Sequence, residues 1–181
     1  MTALPHFKYH PDPIGTGSIE ASAETCRCCG QARGYIYTGP VYAAEEALEN
    51  AFCPWCIADG SAAARFDAEF TDPAGVASGL WIPVPDAVTD EVCYRTPGFT
   101  GWQDTRWWTH CRDAGEFLGY GGHEDLAGRW AGAVAEIRED LLVPDDDWED
   151  ILASLGEGRD GWAYVFRCRH CGTLGGYADW S

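Results

Sequence analysis

Lysine is all but missing from this sequence: Lys8 stands alone, and 12 basic residues face 29 acidic ones for a formal net charge of -17. Such a charge repels phosphate backbones and anionic lipid surfaces, so nucleic-acid binding and membrane association are poor readings. Acidity keeps a chain soluble, its commoner cause, and the sharper cause is a strongly basic partner. Long apolar runs are also lacking. None approaches the roughly 18 to 20 residues that cross a bilayer, and the opening MTALPHFKYHPDP has no basic stretch leading into an apolar one. The expectation is a cytoplasmic protein without membrane insertion. No H-E-x-x-H, P-loop or G-x-S-x-G pattern is present. The zinc deaminase signature fails as well, because it needs H-x-E and a later P-C-x-x-C. Here HED at His123 stands in for the one, and CPWC carries its proline inside the pair.

Apolar residues make up 46% of the 181, enough for a real core, and the length fits one domain over residues 1–181. Residues 1 to about 23 read as an extended arm, 25–70 as a compact cysteine module, and 71–161 as a mainly helical middle opening with a Pro/Gly connector. Residues 162–180 read as a C-terminal hairpin. Within the middle, DAVTDEVCYRTP predicts a short helix ended at Pro97. Leu126, Trp130, Val134, Ile137 and Leu141 form the stripe of one amphipathic helix. A second follows Pro144, with Trp148, Ile151, Leu152 and Leu155 on one side and the acids of DDDWED at its positive end. GWAYVFRC alternates as a strand, with Trp162, Tyr164 and Phe166 on one face.

What the chain does have is cysteine. There are nine, an odd number without a secretory signal, which argues against a disulfide framework. Three CxxC pairs stand out: Cys26/Cys29, Cys53/Cys56 and Cys168/Cys171. Two intervening residues let a tight turn aim both sulfurs at one tetrahedral zinc. Gly30 and Gly172, each just after its pair, permit the positive φ of such a turn. After the first pair GYIYTGPVY reads as a hairpin turning near Gly39 and Pro40, and CPWC then opens a helix with Pro54 in its first turn. Knuckle, hairpin and helix is the order of a treble-clef finger. A thioredoxin-like redox pair would want a βαβ setting, and none surrounds CPWC.

Cys168 and Cys171 cannot fill four zinc positions alone. Cys111 in WWTHC is the best recruit, with His110 as the candidate fourth ligand. Cys28 reads as a bystander or an alternative to Cys26, and Cys93 as a buried, inert thiol. One or two zincs per chain are expected, each structural site contributing on the order of 10 kcal/mol to folding. An open second site would instead suit a zinc enzyme, with His110, Asp113, Glu116 or His123 as acid or base. Within the cysteine module, Arg27, Arg33 and Arg65 are outnumbered by Glu24, Glu45, Glu46, Glu49, Asp59, Asp67 and Glu69, which again disfavours nucleic acid.

The segments FKYHPDP, CRCCG, GYIYTGPVY, CPWCIADGSAAARFDAEF, RTPGFTGWQ and FRCRHCG…GYADW resemble the CbrC-like colicin-tolerance family of small bacterial proteins. The resemblance runs from Phe7 to Trp180 and is thinnest over about 72–90 and 121–160. Three CxxC pairs are that family's hallmark. It implies a role in stress or in tolerance of a nuclease-type colicin, with no biochemical activity established. The expectation is therefore an α+β zinc-stabilised domain with an N-terminal treble-clef-like finger and a C-terminal zinc-knuckle hairpin. Cys26, Cys29, Cys53, Cys56, Cys111, Cys168 and Cys171 are its metal ligands. It is expected to be non-catalytic and to act on a protein partner, possible targets including a basic toxin domain. A zinc enzyme open at Cys111/Cys168/Cys171 and a thiol redox protein are the alternatives.

Overall fold

The computed structural model describes residues 3–45, 47–142, 144 and 147–181. Its elements are short, as 22 glycines and 10 prolines would dictate. In chain order they are β1 (Ile19–Ala21), β2 (Tyr35–Tyr37), α1 (Pro54–Ala58), α2 (Ser61–Phe66), α3 (Asp86–Arg95), β3 (Thr109–His110), β4 (Asp113–Ala114) and β5 (Glu116–Gly121). Then come α4 (His123–Ala127), α5 (Val134–Leu141), α6 (Trp148–Ala153), β6 (Gly161–Arg167) and β7 (Leu174–Trp180). Helices and strands mix as expected for an α+β chain.

The organising element is the antiparallel sheet β5-β6-β7. Along β6, Tyr164 and Phe166 turn to one side, where they meet Tyr9, Phe99, Trp107, Trp108, Phe117 and Tyr177. Ala163 and Val165 turn to the other and pack with Leu126, Trp130, Ile137, Trp148 and Leu152. The sheet is thus buried on both faces between an aromatic layer and a helical one. The aromatic layer gains from geometry as well as burial, since Phe99 stacks on Phe117 with centroids 4.0 Å apart and Tyr164 on Tyr177 at 4.6 Å. A third cluster of Ile19, Tyr37, Phe52, Ile57 and Phe70 surrounds the first cysteines.

Several sequence expectations change here. GYIYTGPVY is no hairpin: β2 pairs back onto β1, Ile19 facing Tyr37, while Tyr42 bridges Glu69. The far edge of β2 is taken by Phe52, whose carbonyl accepts the Tyr37 N–H at 2.9 Å. That contact delivers Cys53, the next residue, to the knuckle. The N-terminal arm is no mere arm, because it supplies β1 and buries Phe7, Tyr9 and His10. The stripe from Leu126 to Leu141 is broken into α4, a 3-10 turn at Ala131–Ala133, and α5. The break comes at Gly128, which leaves the helix with φ −118° and ψ −110°, a departure that costs glycine little. The middle also holds β3, β4 and β5 as well as helices.

Other expectations stand. α3 ends at Arg95 with Thr96 extended before Pro97, and Trp148 and Leu152 of α6 are buried. Asp145 and Asp146 of the acidic run lie outside the described residues, and Glu149 and Asp150 occupy the first turn of α6. Among the described residues no helix is long and apolar enough to cross a membrane.

Candidate metal centres

Two groups of four side chains have ligand atoms all within 4.8 Å of one another and could each hold a metal ion: Cys26, Cys29, Cys53 and Cys56, and His110, Cys111, Cys168 and Cys171. Both are built on the same knuckle. Cys26 N–H donates to Gln31 O at 2.9 Å while Gly30 N–H donates back to Cys26 O at 2.8 Å. Cys168 N–H donates to Thr173 O at 2.8 Å while Gly172 N–H donates to Cys168 O at 3.0 Å. Gly30 and Gly172 sit at φ 70° and 78°, as the sequence required of a residue after the pair.

In the first group the knuckle meets α1. Cys53 is the N-cap of that helix and Cys56 lies in its first turn, with Pro54 at the position where a missing N–H costs nothing. The sulfurs stand 3.8 Å apart for Cys26–Cys56, 3.9 Å for Cys29–Cys53 and 3.6 Å for Cys53–Cys56. Cys53 N–H also donates to Cys26 Sγ at 3.2 Å. Burial alone would raise the Cys26 thiol, but N–H groups of Cys29, Cys53 and Cys28 outweigh it and bring the pKa down to about 7. Burial pushes Cys53 up to about 11 and Cys56 higher still. The surrounding N–H donors thus favour the thiolate at Cys26, and binding a cation would release protons from the group.

In the second group the knuckle at the β6–β7 turn meets the β3–β4 turn. His110 ends β3 and stacks on Trp108 with centroids 5.4 Å apart and planes 7° from parallel. Its Nδ1 lies 3.2 Å from Cys111 Sγ and 3.4 Å from Cys171 Sγ. Cys111 and Cys171 sulfurs are 3.9 Å apart. The hydroxyl and backbone N–H of Thr173 bring the Cys171 thiol down to about 6. Cys111 and Arg112 are the two residues of a hairpin loop and both are left-handed, at φ 52° and 60°. That geometry usually recruits Asn-Gly, and here it aims a thiol instead.

The sequence reading of the remaining candidates also resolves. Cys28 stays outside the first group, its thiol directed to Ser61 Oγ at 3.5 Å, and Cys93 is fully buried with its pKa pushed up to about 12 by that burial. Asp113, considered as an acid or base, is instead engaged by Tyr9 OH at 2.5 Å, Ala114 N–H at 3.0 Å, His170 Nε2 at 3.0 Å and Arg169 at 3.3 Å. Glu116 pairs with Arg167 at 2.7 Å. His123 opens α4 and belongs to neither group. Sequence reasoning overlooked His170 and Thr173. His170 lies between Cys168 and Cys171 and ties the knuckle to Asp113, and Thr173 follows the knuckle glycine and bonds Cys171 Sγ at 3.1 Å. Their positions inside and just after CRHCG were the only available signal.

Comparison with known proteins finds a match between residues 4–180 and the family model described as "Uncharacterised protein family (UPF0167)". A UPF0167 protein of Pseudomonas aeruginosa is 48% identical over 174 residues, covering 93% of each chain. UPF0167 proteins of Mycobacterium bovis and Mycobacterium tuberculosis are each 49% identical over 184 residues, 98% of this chain and 94% of theirs. No solved structure matches.

Proposed function

The chain belongs to the UPF0167 family, and from its own two ligand groups we propose that it is a non-catalytic protein held by two zinc ions that acts through contact with a protein partner. One observation carries the zinc reading. Tetrahedral zinc at about 2.3 Å from each sulfur requires sulfurs roughly 3.8 Å apart; three of the six separations in the first group are 3.6, 3.8 and 3.9 Å, and all lie within 4.8 Å. In the second, the 3.9 Å between Cys111 and Cys171 fits the same edge. Thiolate with imidazole is also the donor set that zinc takes. Cys26, Cys29, Cys53 and Cys56 would hold one ion, and His110, Cys111, Cys168 and Cys171 the other. Four protein donors at each leave no position for a reacting water, which weighs against the zinc-enzyme alternative. The redox alternative at CPWC is weakened by Cys26 and Cys29, which face that pair at 3.8 and 3.9 Å against 3.6 Å between its own members.

The first site reads as treble-clef-like, a knuckle followed by a helix bearing the second pair, with β1 supplying the strand partner that a hairpin would. The formal charge of -17 and the resemblance to the CbrC-like family favour a basic partner, and a nuclease toxin domain is the sharpest version of that reading. The test is zinc per chain in protein purified without added metal, for the wild type and for Cys168→Ser/Cys171→Ser. Two zincs falling to one is the expected result. One zinc in both leaves Cys168 and Cys171 as a thiol pair and returns the redox reading, and no zinc in either overturns the proposal.

A further inference from the structure

Outside both cysteine groups, the loop at residues 100–102 and strands β5 and β6 frame a cleft of about 360 Å³ lined by Thr100, Gly101, Trp102, Tyr120, Trp162 and Tyr164. Its walls are aromatic rings set at steep angles to one another. Tyr120 and Trp162 have centroids 6.2 Å apart and planes at 71°, and Tyr120 and Tyr164 are at 5.6 Å and 69°. Trp102, also in the lining, is more than half exposed. The walls are fastened from behind. Thr100 N–H donates to Tyr120 OH at 3.2 Å, Trp102 N–H donates to Tyr164 OH at 3.1 Å, and that hydroxyl donates onward to Asp179 at 2.7 Å. Gln103 N–H ties the loop to the same carboxylate at 3.1 Å.

Those bonds decide what the cleft can recognise. With Tyr164's hydroxyl already donating and accepting, and Tyr120's accepting from the loop backbone, the cleft presents aromatic rings and few free polar groups. A sugar would go unsatisfied there, whereas a cation is attracted by the faces alone. Charge selects the cation over a neutral apolar group. Trp162 also borders a hollow lined by Glu124, Asp125 and Glu157, with His123 and Arg159 in its wall and Asp125 paired to Arg129 at 2.8 Å. Past Gln103, a second hollow holds Asp72, Asp104 and Asp179, and its Arg106 is committed to Asp140 in a two-pronged pair at 2.8 and 2.6 Å. An aromatic corner beside hollows rich in carboxylates suits an extended segment with one cation in the corner and others near it.

We propose that this cleft docks a basic segment of a protein partner and seats one arginine or lysine head group against Trp102, Trp162 and Tyr120. The inference rests on the protein-partner reading above and names its surface; it requires nothing of the metal. Its test uses the full chain and a short synthetic peptide alternating arginine with glycine, against the same peptide with citrulline, the neutral isostere, at every arginine. Binding is followed by calorimetry for the wild type, Trp102→Ala, Trp162→Leu and a remote control, Leu80→Ala, with zinc counted on each sample. The arginine peptide should bind about tenfold more tightly than the citrulline one, and Trp102→Ala should lose about tenfold while Leu80→Ala loses nothing. Trp102 is exposed, so its truncation leaves the fold intact even where Trp162→Leu fails to fold. Equal binding of the two peptides, or none by the wild type at millimolar peptide, overturns the proposal. Undiminished, salt-sensitive binding by Trp102→Ala overturns the cleft too, but leaves a generally acidic partner surface standing. Zinc counts report separately on the metal reading.

Discussion

The two cysteine groups share a knuckle and differ in almost everything around it. In the first, Cys26, Cys53 and Cys56 are buried and only Cys29 is exposed; in the second, Cys168 is buried while Cys111 and Cys171 are exposed. The first closes on the start of α1 inside its own core of Phe52, Ile57 and Phe70. The second closes on a two-residue loop at the surface, whose non-glycine residues hold positive φ. One group is therefore the centre of a core, around which the apolar side chains of residues 19–70 collapse. The other is a clasp, joining the β3–β4 turn to the β6–β7 hairpin on a sheet that already has aromatic and helical layers to stabilise it. Equal ligand chemistry need not mean equal structural weight.

The largest expected effect follows from that asymmetry. Cys26→Ser/Cys29→Ser removes half of the proposed core site, and a structural zinc is worth on the order of 10 kcal/mol, which rivals the stability of a whole domain. Its N-terminal part should lose cooperative melting and the Tyr37–Phe70 and Phe52–Phe70 ring packing. Cys168→Ser/Cys171→Ser should remain folded, with a melting temperature lower by roughly 10 °C. Circular dichroism melts of the two double variants check this. Equal losses would break the distinction between core and clasp.

Acid offers a second, smaller separation, because one titrating group lies in the aromatic layer and in neither ligand group. His10 is buried, its Nδ1–H donating to Pro97 O at 2.7 Å and its Nε2 accepting from Thr16 Oγ1 at 2.7 Å. Burial lowers its pKa from 6.5 to about 4. The unfolded chain therefore binds the proton first as pH falls, so the neutral ring's contribution is complete above pH 6.5 and is lost down to pH 4. The whole loss is about 3 kcal/mol, roughly 2 of it by pH 5. Urea unfolding at pH 7, 6 and 5 should show the wild type falling by that much more than His10→Gln. Parallel curves would mean that acid acts through the ligand thiols and not through the aromatic layer.

How much of this was legible beforehand divides along local and non-local lines. CxxC spacing with a following glycine marked both knuckles, and Pro54 marked the helix that carries Cys56, because each depends on two to five neighbouring residues. Cys111 and His110 joined Cys168 and Cys171 by elimination, and the structure does bring the four together. Strand partnership was not legible. Which edge β2 would use depends on Ile19 and Phe52, residues far apart in sequence, and a Gly-Pro dipeptide after the strand imitates a hairpin turn. Nor was the break at Gly128, since the apolar stripe continues in phase across it and still faces the core. The aromatic cleft escaped notice because Trp102, Tyr120 and Trp162 come from three separate stretches.

The smallest effect probes the clasp where it is strained. Arg112 is exposed, at φ 60° in the second position of the β3–β4 loop, and a left-handed backbone costs a residue with a Cβ roughly 1 to 2 kcal/mol. Glycine bears no such cost but loses about 0.5 to 1 kcal/mol more backbone entropy on folding. Arg112→Gly should therefore stabilise the chain by about 0.5 kcal/mol, raising the melting temperature by 1 to 2 °C on a calorimetric scan. The knuckles supply the opposite control. Gly30 and Gly172 already hold the left-handed positions with nothing near where a Cβ would go, so Gly30→Ala and Gly172→Ala should lower it purely through φ. A gain at Arg112 beside losses at both glycines would mean that the clasp carries backbone strain that the knuckles avoid, held in place by the four ligand side chains that converge there. No gain at Arg112 would mean that its side chain contributes as much as the strain costs, and the clasp would then be no more strained than the core.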